Sequence, residues 1–568
     1  MRNSLKVIAL SAWLLTAATP VGMAQSVGST TILAPFAGHM FTPASGQSNI
    51  GFWGTDLGFS VFDGTNIRFY FGDSWADSNA TSIDAFHGDD TLGIVSGSSF
   101  PNGNAVDAYI ASHPPGPGKL SWQAAGPPVK FQLNAFGSVA MSPLYRGGLS
   151  GTYLPTGLGK TPLAAFANRL SGNARGVFAI YHRIRPTECS GGATPSCANG
   201  FTCDTGIGSY FGFSGENDFP CVKATPNQPL PCLSVPGGGM CQDRTSSVYN
   251  TSDDGRLLSI ALSHEVGNAD HQFTPELAEV QYTKTWQTNK FVNPAVATVK
   301  DFLPTRANGS GNVYTTADGQ GTLANQKVFL WGRPNFVAYG ATCNSAKLYF
   351  AYADMPSYSA TGAFTWSVHY FTGLSAGVPQ FSSSPTAAVA LDLSAAGGGP
   401  AGCATDSTRE VKDIVNQMTV AFVPALNKWV MLYGGDQDDS GLELFVGSNY
   451  PLITHEPDRG LHARFASQPW GPWSAPQLLL KGGDPNVSPP VAGTQLAPGG
   501  ILRHPGCAGS NCAPTETGFD ASEHGHLYAP NIVDKWTTTR NTTAADIYWT
   551  VSSWNPMQTV LMRTRLNP

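Results

Sequence analysis

Two aspartates near the start of the chain stand where chemistry is easiest to imagine. Asp56 lies in Gly54-Thr55-Asp56-Leu57-Gly58, and Asp73 in Phe71-Gly72-Asp73-Ser74-Trp75. Glycine reaches backbone dihedrals closed to other residues, so a carboxylate flanked by glycines can be aimed off the ordinary strand direction. Between the two acids, the apolar runs Phe59–Phe62 and Ile67–Phe71 are split by Asp63-Gly64, a tight-hairpin signature. Such a hairpin brings both acids to one end of adjacent strands. A pair of carboxyl groups flanking a bond is what glycoside hydrolysis needs: one protonates the leaving oxygen, the other activates water or attacks the anomeric carbon. Asp56 is the expected base or nucleophile. Asp73 is the expected proton donor, or a neighbour whose like charge raises the donor's pKa. The plainer readings are an Asp56 that hydrogen-bonds its own turn and an Asp73 that caps the hairpin.

Other residues could bind a sugar around these acids. Asp90, in His87-Gly-Asp-Asp90, is an expected hydroxyl ligand, and Trp75 an expected stacking surface. Arg333 and Asn335, and Asn416 and Gln417, each precede an apolar run and suit hydroxyl binding or a strand-end hydrogen bond. His524 and His526, at i and i+2 on a strand, could share a face and contact sugar. They lack a third partner for a metal, so no metal site is assigned. Asp436 to Glu443, with Gly441 at position six, begins like a calcium loop, but Gly447 stands where the bidentate Glu should be. Calcium is therefore the one cofactor left open. Glu216 and Asp218 sit in a Cys-rich stretch and suit a solvated surface better than a cleft. No GxSxG, GxxxxGK or HExxH motif occurs.

Composition narrows the partners. Of 568 residues, 64 are Gly and 42 Pro; only 12% are charged, and the net charge is -6. A chain so rich in helix breakers is not a long helical bundle, and its 11% aromatic content argues against wholesale disorder. It offers no basic field to nucleic acid. An uncharged, hydrogen-bonding partner such as a polysaccharide fits better, and a monomer is expected. Arg2, Lys6, the apolar run Val7–Ala18 and the small residues Gly22 and Ala24 form a secretory signal over residues 1–24. That run is too short to span a bilayer, and no later stretch is apolar enough to do so. The expected location is secreted. Ten cysteines agree with an oxidising compartment. Six of them, Cys189, Cys197, Cys203, Cys221, Cys232 and Cys241, crowd a stretch without His or paired CxxC spacing, which disfavours zinc. Six cysteines allow 15 pairings, and none is assigned. Cys507 and Cys512 are near enough to close a small loop, leaving Cys343 for Cys403.

The elements that must position the acids are strands. Strand-length apolar runs recur throughout, separated by Asn-Gly, Asp-Gly and Gly-Gly turns: Gly176–Tyr181, Lys347–Tyr352, Thr365–Phe371, Met418–Val423, Lys428–Tyr433, Asp546–Ser552 and Thr559–Arg563. No amphipathic helix of a dozen residues is evident, although Ser407–Met418 could hold one turn. A loose unit recurs at Asn66–Trp75, Ala346–Asp354, Asn427–Asp436 and Ala545–Trp554: an aromatic strand ending in a small, acidic or Trp residue. Large irregular propeller blades would give this pattern, as would a β-sandwich or two β domains.

Several motifs narrow that choice. The opening pair Gly54–Gly58 and Phe71–Trp75 resembles the start of the family catalogued as domain of unknown function 4185. Further stretches resemble it too: Pro155–Gly157, Leu330–Asn335, Asn416-Gln417 followed by Asn427–Tyr433, Ser553–Met557 and Leu561–Arg563. Pro469-Trp-Gly-Pro-Trp473 is shared more widely with propeller glycosidases. The resemblance implies an all-β, five-bladed β-propeller with inner strands converging on one axial pocket. It implies a glycoside hydrolase, some family members being endo-D-arabinanases, and places Asp56 at the centre of the first blade. Two departures are the disulfide-rich insertion at about 186–245 and Met557 where an aromatic is expected. The expected organisation is a signal over 1–24, a lead segment over 25–50 and a propeller over 51–568.

Overall fold

A computed structural model describes residues 25–38, 54–75, 91–113, 130–131, 160–169, 175–183, 201–203, 221–223, 234–235, 238–239, 258–263, 279–281, 290–291, 294–306, 313–316, 326–332, 347–354, 357–358, 364–365, 367–393, 417–434, 460–481, 526–541, 544–554 and 558–568. The expected signal, Ser407–Asn416 and the region of the calcium-like loop lie outside them. The described chain is mostly strand, as the alternating apolar runs require, and every strand pair is antiparallel.

Among the described residues, five sheets of four or more strands carry the fold. The first holds β2 (Gly54–Phe62), β3 (Asn66–Trp75), β4 (Thr91–Ser96) and β5 (Lys130–Phe131). The second holds β6 (Lys160–Arg169), β7 (Arg175–Arg183), β12 (Leu258–Ser263) and β13 (Glu279–Gln281). The third holds β14 (Ala295–Asp301), β15 (Val313–Thr316), β16 (Lys327–Gly332), β17 (Tyr349–Asp354), β20 (Val368–Ser375) and β21 (Val378–Ser382). The fourth holds β22 (Met418–Val423), β23 (Lys428–Gly434), β24 (Gly460–Ala466) and β25 (Gln477–Lys481). The last holds β26 (His526–Ile532), β27 (Thr538–Thr539), β28 (Ala545–Trp554) and β29 (Gln558–Asn567), and takes β1 (Ser26–Gly38) as an outer strand against β29. Three ribbons complete the inventory: β8 (Phe201–Cys203) with β9 (Cys221–Lys223), β10 (Ser234–Val235) with β11 (Gly238–Gly239), and β18 (Ser357–Tyr358) with β19 (Phe364–Thr365).

The first strands of the five sheets are neighbours in cyclic order: β2 beside β6, β6 beside β14, β14 beside β22, β22 beside β26, and β26 beside β2. Each is laddered to its own sheet and not to the next first strand, so the arrangement is not a barrel. Together they line one cavity of about 330 Å³.

Apolar side chains fill the seams between sheets. Phe329, Trp331 and Phe350 of the third sheet meet Val420, Trp429 and Met431 of the fourth, with Trp470 and Trp473 beyond. Val430, Leu432 and Leu461 of the fourth meet Ile547, Trp549 and Val560 of the last. Phe36, Phe69, Phe71, Trp536, Tyr548 and Leu561 join the last sheet to the first. Five Trp side chains, at 331, 429, 473, 536 and 549, are fully buried, so they are core rather than sugar platforms.

Turn chemistry follows the sequence closely. Asp63 accepts from the backbone N–H of Thr65 (2.8 Å) and Asn66 (2.7 Å), closing the β2–β3 turn, and its other oxygen pairs with the buried Arg68. Asn427 takes the left-handed conformation (φ 50°) between β22 and β23. The chain also holds a helix of ten residues, α1 (Gly103–Ser112), shorter than the dozen-residue amphipathic helix that the sequence did not show. It is stabilised largely from outside its own periodicity: Asn102 caps it, Gly103 sits where a Cβ would lie 2.0 Å from the Tyr548 ring, and Asp107 pairs with Arg540 and Arg563. The recurring unit also does not hold one position. Asn66–Trp75, Asn427–Asp436 and Ala545–Trp554 contain the second strands β3, β23 and β28, whereas Ala346–Asp354 contains β17, the third across from β14. No described helix is long and apolar enough to cross a membrane.

Candidate functional site

Asp56 sits in β2, three residues ahead of Phe59, where the cavity lining begins. The register of β2 against β3 slips twice here, between Gly54 and Asp56 and between Leu57 and Phe59. Leu57 (φ 65°) and Gly58 (φ 76°) both take left-handed backbone. A side chain with a Cβ pays about 1–2 kcal/mol for that conformation, so it persists only where the surroundings enforce it. The enforcing groups come from the last sheet. The Leu57 N–H donates to Ser552 Oγ at 2.6 Å. The Gly58 carbonyl accepts from Asn531 Nδ2 at 3.0 Å and Thr550 Oγ1 at 3.4 Å. Polar side chains thus replace the ladder bonds that a bulge gives up.

Asp56 is 4% exposed, and Tyr528 Oη donates to its Oδ2 at 2.5 Å. Burying a carboxylate is costly unless it is hydrogen-bonded, and a phenol is a strong donor to it. Tyr528 is delivered by a matching distortion: β26 slips register between Tyr528 and Asn531, and Ala529 is left-handed (φ 48°). Each partner therefore precedes a left-handed residue. Gly72, opposite Asp56 in the ladder, makes room for the carboxylate. A Cβ there would lie 2.5 Å from Leu57 Cδ1 and 2.9 Å from Asp56 Oδ1. The cavity beyond is mainly Ala, Val and Phe, with Ser60, Thr298, Thr419 and Asn531 among its polar lining.

The other expected site residues divide by placement. The β2–β3 hairpin is present, and Asp73 follows Gly72, so it stands next to Asp56's register partner; Trp75 pairs with Gly54. For Asp73 and Trp75 the strand position is what the structure describes. Gln417 precedes β22, half-buried, and its carbonyl accepts from the Gly434 N–H. His526 opens β26 opposite Trp554, two residues before Tyr528. Asp90, Arg333, Asn335, Asn416, His524, Glu216 and Asp218 lie outside the described residues. Among the described residues no group of three or more His, Cys, Asp or Glu could hold a metal. Tyr528, Asn531, Thr550 and Ser552 were missed by sequence reasoning; the one available signal was Tyr528's spacing of two from His526.

No family model matches the chain, and no curated protein does. A crystal structure of a protein of unknown function from Dyadobacter fermentans aligns over 95% of this chain and 99% of that one, with 9% identity and a TM-score of 0.25.

Proposed function

We propose that this chain is a secreted, monomeric five-bladed β-propeller that hydrolyses glycosidic bonds in a furanose-containing, arabinan-like polysaccharide. The observation that carries the reading is the Asp56–Tyr528 pair: a carboxylate held at 2.5 Å on two deliberately distorted inner strands, beside the register position of Asp73. Five sheets whose first strands follow one another around a shared cavity suit blades about an axis.

In the proposed reaction Asp56 serves as base or nucleophile. Tyr528, donating to Oδ2, fixes the carboxylate's rotamer. Asp73 protonates the leaving oxygen or modulates the group that does. Trp75, Asp90, Arg333, Asn335, Asn416, Gln417, His524 and His526 supply the sugar contacts.

The test is incubation of the pure chain with arabinan, arabinogalactan and fructan, following released reducing ends. Cleavage of one of them, abolished by Asp56→Asn and by Asp73→Asn with melting temperature retained, supports the enzyme. The anomer of the first product then reports the carboxyl separation: retention corresponds to about 5–5.5 Å and inversion to about 6.5–9.5 Å. A second reading, a propeller that binds glycan or protein without cleaving it, is favoured by the near-complete burial of Asp56. On that reading Asp56 clamps the first sheet to the last, Asp56→Asn lowers the melting temperature, and no glycan yields reducing ends.

A further inference from the structure

We infer that Cys203 and Cys221 form a disulfide that covalently closes residues 204–220. The ribbon of β8 and β9 pairs Phe201 with Lys223, Thr202 with Val222 and Cys203 with Cys221. Directly opposed residues of an antiparallel ladder share a face, and their Cα atoms lie about 4.5 Å apart at non-hydrogen-bonded pairs and about 5.5 Å at hydrogen-bonded ones. Both spacings fall within the window of about 4.4–6.8 Å that a disulfide spans without backbone movement. The register thus satisfies the distance requirement whichever kind of pair this is. Chance placement of a cysteine opposite a cysteine is a demanding coincidence in ribbons only three residues long.

The chemistry is thiol–disulfide exchange. One S–S bond forms between the two thiols, the oxidant's own S–S bond breaks, and the two electrons and two protons given up by the thiols end on the oxidant's sulfurs as two thiols. The inference does not depend on glycan cleavage. It has two consequences. Residues 204–220 include Glu216 and Asp218, so both acids lie inside a covalent ring. The remaining cysteines of the cluster, Cys189, Cys197, Cys232 and Cys241, then have three possible pairings rather than the 15 open to all six.

The experiment is peptide mapping of the full chain, refolded with a mixture of oxidised and reduced glutathione and alkylated with iodoacetamide in denaturant before any reduction. Chymotrypsin cutting after Phe201 and Phe213, with trypsin cutting after Lys223, separates these two cysteines from each other and from Cys197 and Cys232. The expected result is one joined peptide pair carrying Cys203 and Cys221, which splits on reduction. Cys203→Ser should raise the free-thiol count by one, located at Cys221. Cys221→Ser should do the converse, and the double variant should add none. Cys203 or Cys221 alkylated before reduction in the unsubstituted chain, or either joined to a different cysteine, overturns the inference. Mapping of the unsubstituted chain gives that answer even if the serine variants do not fold.

Discussion

The seam between the third and fourth sheets and the seam where the last sheet meets the first are built on opposite principles. At the former, β14 against β16 and β22 against β23 run in unbroken register, and the space between is filled with rings. Trp331 and Trp429 lie 5.3 Å apart, Phe329 and Trp429 5.5 Å, and Trp331 Nε1 donates to the Pro469 carbonyl at 2.7 Å. At the latter, rings persist further out, but the innermost strands are bulged, left-handed and stitched by hydroxyls, an amide and a carboxylate. Its outer end is held by ions: Asp546, 1% exposed, receives Arg540 and Arg565, and Asp107 of α1 receives Arg540 and Arg563. One seam is held mainly by packed rings. The other accepts left-handed backbone to hold polar groups in place, which makes it the candidate site.

The largest effect should come from the packed seam. Trp429→Ala should cost about 3–5 kcal/mol in denaturant unfolding, because the Trp is fully buried among rings that cannot collapse into the space. If it costs under about 1 kcal/mol, the packing contrast is lost. On the closing seam's ionic end, Asp546→Asn should cost on the order of 2–3 kcal/mol at neutral pH, the scale of hydrogen bonds to charged groups. Burial alone would raise the Asp546 carboxyl, but hydrogen bonds from Arg565 and Arg540 outweigh it and hold it below the usual range. A depressed folded pKa contributes stability that is complete above the unfolded value of about 3.9 and is lost as pH falls through the folded one. The gap between parent and Asp546→Asn should therefore close in acid, as read by melting temperature against pH.

Gly72→Ala should cost about 1–3 kcal/mol by overpacking against Leu57 and Asp56, and should lower glycan cleavage more than it lowers stability. Tyr528→Phe should cost about 1–2 kcal/mol and cut kcat rather than raise KM, since it frees the carboxylate's rotamer. The smallest change is a gain: Ala529→Gly relieves a left-handed residue and should add about 0.5–1 kcal/mol. If that gain comes with lower cleavage, the strain at this seam serves the reaction; if cleavage is untouched, the strain is incidental.

What could be read from the residues alone follows the range of the interactions. The Asp63-Gly64 hairpin and the apolar strands were legible because an Asx turn and alternation are local. Asp56 was legible through its flanking glycines. Its partner was not, because Tyr528 lies 472 residues away and its spacing of two from His526 says nothing about which residue it meets. The same holds for α1, whose fit rests on Gly103 beneath Tyr548 and on arginines from the far end of the chain. The site is a junction of distant strands, so local patterns showed half of it.

The pairing of β1 with β29 sets an order of events. Thr30 and Thr564 lie 534 residues apart, yet their strands are adjacent in one sheet. A ribosome makes β1 long before β29, so the sheet supplying Tyr528 to Asp56 is completed only after β29 emerges. A chain cut short just before Gln558 would keep β1 without its partner strand. Such a product should be recognised as unfinished by proteases long before its lost length alone would suggest.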